Sequence, residues 1–82
     1  MKSATGRLAT ARATNLRRLR EARSWGQVVL ARKLDMAHTY VVSMEAGARP
    51  ITLRTIDKLA PALGLTAAEV LAELDAEMGG AR

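Results

Sequence analysis

Six apolar residues set on two helical registers, with one break between them, constrain this chain more than any other feature. Between Trp25 and Arg49 it reads WGQVVLARKLDMAHTYVVSMEAGAR. Leu30, Ala31 and Leu34 fall at i, i+1 and i+4, which gives one apolar stripe on a helix. Val41 and Met44 fall three apart on a second helix, and Met36 precedes it. The spacing is that of a helix, a tight turn and another helix. Ala31 is small where two such helices nearly touch. Asp35 stands in the turn, where left-handed backbone angles favour glycine. Aspartate tolerates those angles better than most residues.

The flanking sequence predicts three more helices and no strand. A helical pattern runs from Thr14, a candidate N-cap, with Leu16, Leu19 and Arg20 on one face. Ser24 stands where it should stop, and Gly26 is a weak cap for the next helix. The third helix starts at Ala37 or His38 and runs to Ala46, with Gly47 as its stop. Arg49-Pro50 forms a turn, because a residue before proline avoids helical angles. Thr52 caps a fourth helix with Leu53, Ile56, Leu59, Ala60 and Leu63 inward. Pro61 is awkward inside it, and Gly64 ends it. Thr66 and Glu69 have the form of a capping box for a fifth helix through about Met78. The prediction is an all-α fold of five short helices. Residues 1–13 form a basic arm or an extension of the first helix, 14–78 the domain, and 79–82 a tail.

Composition narrows the function. No cysteine is present, so neither a disulfide framework nor a thiolate metal site can form. No apolar run approaches the roughly 20 residues that span a bilayer. The N-terminus has no apolar stretch of the signal-peptide kind. The net charge of +5 is uneven. Residues 1–34 carry nine Lys and Arg against Glu21 alone, and the acidic residues cluster in the last third. A basic half joined to a mildly acidic half suits a protein that meets a polyanion with one side. A solvated basic helix is the plainer reading of the same charges.

His38, Thr39, Val42 and Ser43 lie on the outward face of the third helix, which has no acid. A short polar helix held by a rigid partner helix is how small proteins enter a DNA major groove. Thr39 and Ser43 can donate to or accept from base edges, and Val42 can meet a thymine methyl. His38 can bond a guanine or a phosphate, or simply be solvated.

From about Leu16 to Leu74 the chain resembles the Cro and phage-repressor type of helix-turn-helix proteins. The stretches that carry this are LRRLREAR, Gln27-x-x-Leu30-Ala31, Tyr40-Val41, Met44-Glu45-x-Gly47-x-Arg49, the run Leu59-Ala60…Ala62-Leu63-Gly64-Leu65, and TAAEVL. HTYVVSMEAGARPITLRTIDKLAPALGL is most similar to small controller proteins of restriction–modification systems, although those would carry arginine at the position of His38. The resemblance implies a lambda-repressor-like fold, with base reading by His38, Thr39, Val42 and Ser43. It implies that Gln27 bonds a phosphate, and that Tyr40 packs beside the DNA backbone. It pairs Arg20 with Glu45 as a brace for the third helix. Exposed N–H groups of Gly47 and Ala48 are candidate phosphate donors. Arg49 adds charge there or reaches the minor groove, and Arg32 and Lys33 are further candidate backbone contacts. Trp25 reads as core between the first two helices, with base stacking as the lesser alternative.

Leu71, Leu74 and Met78 exceed what a small core can hide. They imply a homodimer through the last helix, or burial under the basic first helix. The resulting expectation is a dimeric regulator on a pseudo-palindromic double-stranded operator, with no metal or cofactor. It is expected to be cytoplasmic, bacterial or phage-encoded and nucleoid-associated, with RNA polymerase as a further candidate partner. An antitoxin or a phage-type repressor is the alternative. An antitoxin usually carries an extra segment for its toxin, and only the first 13 residues are available for that. An enzyme is not expected: there is a single histidine, no glycine-rich phosphate loop and no carboxylate pair with a pocket.

Overall fold

The computed structural model describes residues 4–76, with side chains from Thr10 onward. Five helices follow in order: α1 (Ala4–Glu21), α2 (Gln27–Leu34), α3 (His38–Glu45), α4 (Leu53–Leu63) and α5 (Ala67–Leu74). No strand occurs among the described residues. The fold is all-α, as the periodicity predicts.

Helix α2 packs on α3 and α4, α4 packs on α5, and α1 closes the assembly against α3 and α5. Leu16, Leu30, Leu34, Val41, Met44, Leu59, Val70 and Leu74 fill the centre. Each of the five helices contributes at least one of these side chains, so none is optional to the core. Leu19, Trp25, Met36, Tyr40, Leu65 and Leu71 pack around the margin, partly buried.

The first four helices end in one way. After each, a residue with positive φ is followed by a residue whose N–H reaches five positions back. Trp25 N–H donates to Arg20, Met36 to Ala31, Ala48 to Ser43 and Leu65 to Ala60. The left-handed residues are Ser24, Asp35, Gly47 and Gly64. This paired bonding satisfies the last carbonyls of a helix and turns the chain sharply. Trp25, Met36 and Leu65 then fold back onto the core. The short connections between helices are therefore built from local bonds.

Two boundaries differ from expectation. Helix α1 begins at Ala4, so the extended-helix reading of residues 4–13 applies. Thr14 is therefore no cap but an interior residue, with its hydroxyl donating to the Thr10 carbonyl at 3.0 Å. Helix α5 ends at Leu74, and Met78 lies outside the described residues. Pro61 sits in the last turn of α4. The carbonyl it leaves unbonded belongs to exposed Asp57, where water can serve it. The Thr52 cap and the reciprocal Thr66–Glu69 capping box both form.

The predicted exposed stripe on α5 does not include Leu74, which has 0% exposure in the protomer's own core. Burial beneath α1 is the arrangement found, and α1 has polar side chains to hold it. Asn15 is buried and donates Nδ2 to the carbonyls of Leu74 (2.8 Å) and Ala76 (3.0 Å). Arg12 grips Asp75 in fork geometry, Nε to Oδ1 at 2.6 Å and Nη2 to Oδ2 at 3.1 Å. These bonds hold the Asp75 carboxyl below its ordinary value and raise the Arg12 guanidinium, with charge attraction reinforcing the hydrogen bonds.

Candidate nucleic-acid interface

Helix α3 buries Val41, Met44 and Glu45 and turns its other side outward. His38, Thr39 and Val42 are exposed, and Ser43 is half-buried. At i, i+1, i+4 and i+5 these four share one helical face. Val42 keeps 39% of its surface accessible. The face combines one imidazole, two hydroxyls and a small apolar group, without carboxylate. Such a set can match base edges and repels no phosphate.

What fixes the angle of α3 is a buried polar cluster behind its last residue. Arg20 Nε donates to Glu45 Oε2 at 2.6 Å, and Nη2 donates to Oε1 at 2.8 Å. Arg20 Nη1 donates to the Trp25 carbonyl at 2.9 Å. Hydrogen bonds to Glu45, then its charge, raise the Arg20 guanidinium against the opposing effect of burial. The Glu45 side chain is 1% exposed. Gln27 Nε2 also donates to Glu45 Oε1, at 3.1 Å. One carboxylate thus ties the end of α3 to α1 and to the first residue of α2. Among the described residues no buried side-chain polar atom lacks a partner.

Gln27 is therefore more than a first-turn residue. One of its amide hydrogens is held by Glu45, and its second points the remaining donor capacity elsewhere. The Gly47 and Ala48 donors correct the reading of that loop. Gly47 N–H is used by the Met44 carbonyl and Ala48 N–H by that of Ser43. Neither is left to cradle a phosphate, because the same two groups close α3. Gly47 has a further constraint: at φ +78° a side chain is strained, and a Cβ there would meet Thr10 of α1 at 3.8 Å.

In the same loop the Arg49 guanidinium stacks over Tyr40 at 4.4 Å from the ring centre. Tyr40 is half-buried and Arg49 exposed. The ring restricts the guanidinium without consuming its N–H donors. Arg32 and Lys33 are exposed on the last turn of α2. Lys33 lies over Trp25 at 4.6 Å, and Arg23 approaches the same ring at 5.9 Å. Trp25 is packed at the core margin, so its faces are occupied by protein rather than offered to a base.

The structure brings His38, Thr39, Val42 and Ser43 onto one face, and Gln27, Arg20 and Glu45 into one cluster. Two features were missed in sequence. Asn15 reads as an ordinary helical polar residue, and Arg12 as part of a loose basic arm. The signal for Asn15 is weak: a residue of poor helix propensity one position before the buried Leu16. Arg12 and Asp75 are 63 residues apart, so no local pattern joins them.

A family model described as a helix-turn-helix domain matches residues 13–74. That range covers the end of α1 through all of α5. A "Neisseria hypothetical transcription factor" from Neisseria meningitidis serogroup B is 39% identical over 59 residues. The match takes in 72% of this chain and 56% of that relative, so the chain spans little more than half of the relative's length. With the turn at Asp35, the packing of α2 on α3 and the matched range in agreement, the chain belongs to the helix-turn-helix domain family.

Proposed function

We propose that this protein is a transcriptional regulator that binds duplex DNA and reads its sequence with α3. The observation that carries this reading is the exposed, acid-free face of His38, Thr39, Val42 and Ser43 on a helix braced from behind by Glu45. Exposed Arg32, Lys33 and Arg49 supply charge for phosphates, which position a protein on DNA while base contacts specify the site. Gln27 adds an amide donor at the start of α2. The kinship with a protein described as a transcription factor supports the same reading.

In this proposal the active species is a homodimer on a pseudo-palindromic operator. The half-sites lie about 34 Å apart, one turn of B-DNA. Leu74 is unavailable to a partner, so any interface through α5 rests on half-buried Leu71. The likeness of residues 38–65 to controller proteins favours a regulator of a restriction–modification operon, one that works on the nucleoid and engages RNA polymerase there.

The experiment is selection of bound duplexes from a random pool, followed by affinity measurements across salt. A recovered inverted repeat and an affinity falling by orders of magnitude between about 50 and 200 mM salt are expected. Recovery of no consensus, or binding indifferent to salt, rejects the proposal. Stoichiometric capture of a small protein in place of DNA would favour an antitoxin.

A further inference from the structure

Arg17 stands in an unbalanced position beside the Glu45 cluster. Its Nε lies 3.9 Å from Glu45 Oε1. That oxygen already accepts from Arg20 Nη2 at 2.8 Å and Gln27 Nε2 at 3.1 Å. A carboxylate oxygen offers two lone-pair sites, so both are taken. Arg17 therefore gains attraction from Glu45 but no hydrogen bond. Both guanidiniums approach Glu45, and Arg20 also lies 4.0 Å from exposed Glu21; of the two, only Arg20 is hydrogen-bonded within the cluster. The Arg20 and Glu45 side chains are 10% and 1% exposed, whereas that of Arg17 is 53% exposed. Arg17 thus presents its guanidinium, and its charge, to solvent.

Its neighbours give that charge a direction. Thr10, Arg17 and Arg20 follow one another along α1 at i, i+7 and i+10, close to a single stripe. Thr10 lies where a side chain added at Gly47, after α3, would reach it, and Arg20 meets Glu45 at the end of α3. Arg17 lies between these contacts, on the side where α1 borders the C-terminal end of α3. Gln27, held on the same carboxylate oxygen, stands beside it.

We propose that Arg17 is a DNA-phosphate contact, and that with Gln27 it clamps one backbone phosphate beside the end of α3. This inference rests on the proposed DNA-binding role. The guanidinium offers its donors to the anion, and Gln27 adds its second amide hydrogen. Glu45 holds both at the mouth of the cluster without neutralising Arg17. Arg17 is then a binding residue on α1, outside the helix pair that reads the bases.

The test is the salt dependence of binding to a mixed-sequence 30-base-pair duplex, measured with the full chain by fluorescence anisotropy. Arg17→Gln should lower the slope of log affinity against log salt by about 0.9, the value of one phosphate contact. Arg17→Lys should keep the slope, because the charge remains. Lys58→Gln on α4 removes the same net charge and should leave the slope as in the parent. Melting temperatures report folding, and Arg17→Gln should leave them unchanged because the side chain is half exposed and makes no hydrogen bond to Glu45. An unchanged slope in Arg17→Gln overturns the assignment, as does an equal drop in Lys58→Gln. If the parent protein shows no salt-dependent binding to any duplex, the DNA-binding reading itself falls, and the clamp with it.

Discussion

Replacing Glu45 with alanine strips the carboxylate from three donors at once. Arg20 loses its two bonds of 2.6 and 2.8 Å, and Gln27 loses one of 3.1 Å. The Arg20 guanidinium keeps its bond to the Trp25 carbonyl and a distant Glu21 at 4.0 Å. Removing one partner of a buried pair costs about 3–5 kcal/mol, because the other charge stays behind. The remaining Trp25 bond and slight exposure of Arg20 place this case near the lower end, about 3 kcal/mol. At about 0.05–0.15 kcal/mol per residue, a domain of this size is stable by roughly 4–12 kcal/mol. The substitution therefore removes a quarter or more of the total. With about 4–8 °C per kcal/mol for a domain of this size, the melting temperature should fall by about 12–24 °C. Urea titration followed by far-ultraviolet circular dichroism measures it directly. At a slope of about 1 kcal/mol per molar urea, the midpoint should drop by about 3 M. Glu45→Gln should be milder, since it keeps an acceptor. Arg20→Met with Glu45→Leu should recover part of the loss, because an apolar replacement leaves no orphan charge. A single-site loss under about 1 kcal/mol, or a double variant that simply sums the two losses, would refute the reasoning.

Other substitutions probe separate parts of the molecule. Ser24→Gly should stabilise by about 1 kcal/mol and Asp35→Gly by less, since both residues hold positive φ and aspartate tolerates it better; thermal melts decide. Asp75→Asn should cost less than about 1 kcal/mol, because the Arg12–Asp75 pair is partly exposed. Its sign in pH follows from a depressed folded pKa. The contribution is complete above the unfolded value near 3.8 and is lost as pH falls through the lower folded value. The parent and Asp75→Asn should therefore converge in stability as pH drops below about 4, as read by urea midpoints. Thr39→Ala and Ser43→Ala should relax discrimination by about 1–3 kcal/mol at single base positions. Arg49→Ala should instead weaken all duplexes alike; competition binding with mutated duplexes separates the two patterns.

The parts of the fold legible in the sequence are those fixed by local rules. The stripe of Leu30, Ala31 and Leu34 marks α2, and Gly47 and Gly64 mark helix ends where left-handed angles are needed. Thr66 and Glu69 announce α5 through bonds three residues apart. Thr14 misleads because a threonine preceding a periodic run looks like a cap, yet in α1 the helix already runs through it. Small residues such as Ala9, Ala11 and Ala13 leave little hydrophobic pattern before Leu16 to reveal this. Leu74 misleads because a core's capacity cannot be counted from one helix: the long α1 covers it through Asn15 and Arg12, contacts 59 and 63 residues distant. At the site, the face of α3 follows from periodicity alone. The spent donors of Gly47 and Ala48 do not, since a loop's N–H groups look available until its hydrogen bonds are traced.

The brace at Glu45 also bears on how new specificities arise. Every group that orients α3 reaches it from the side of Val41, Met44 and Glu45, whereas His38, Thr39, Val42 and Ser43 make no hydrogen bond to that brace with their side chains. Substitutions at exposed His38, Thr39 and Val42 leave the cluster's charges and bonds as they were, and only half-buried Ser43 has packing to respect. The proposed reading surface is therefore free to vary by drift or by library design while the scaffold stays within its stability margin. Under the proposed DNA-reading role, retargeting would randomise these four codons with Arg20, Gln27 and Glu45 held constant.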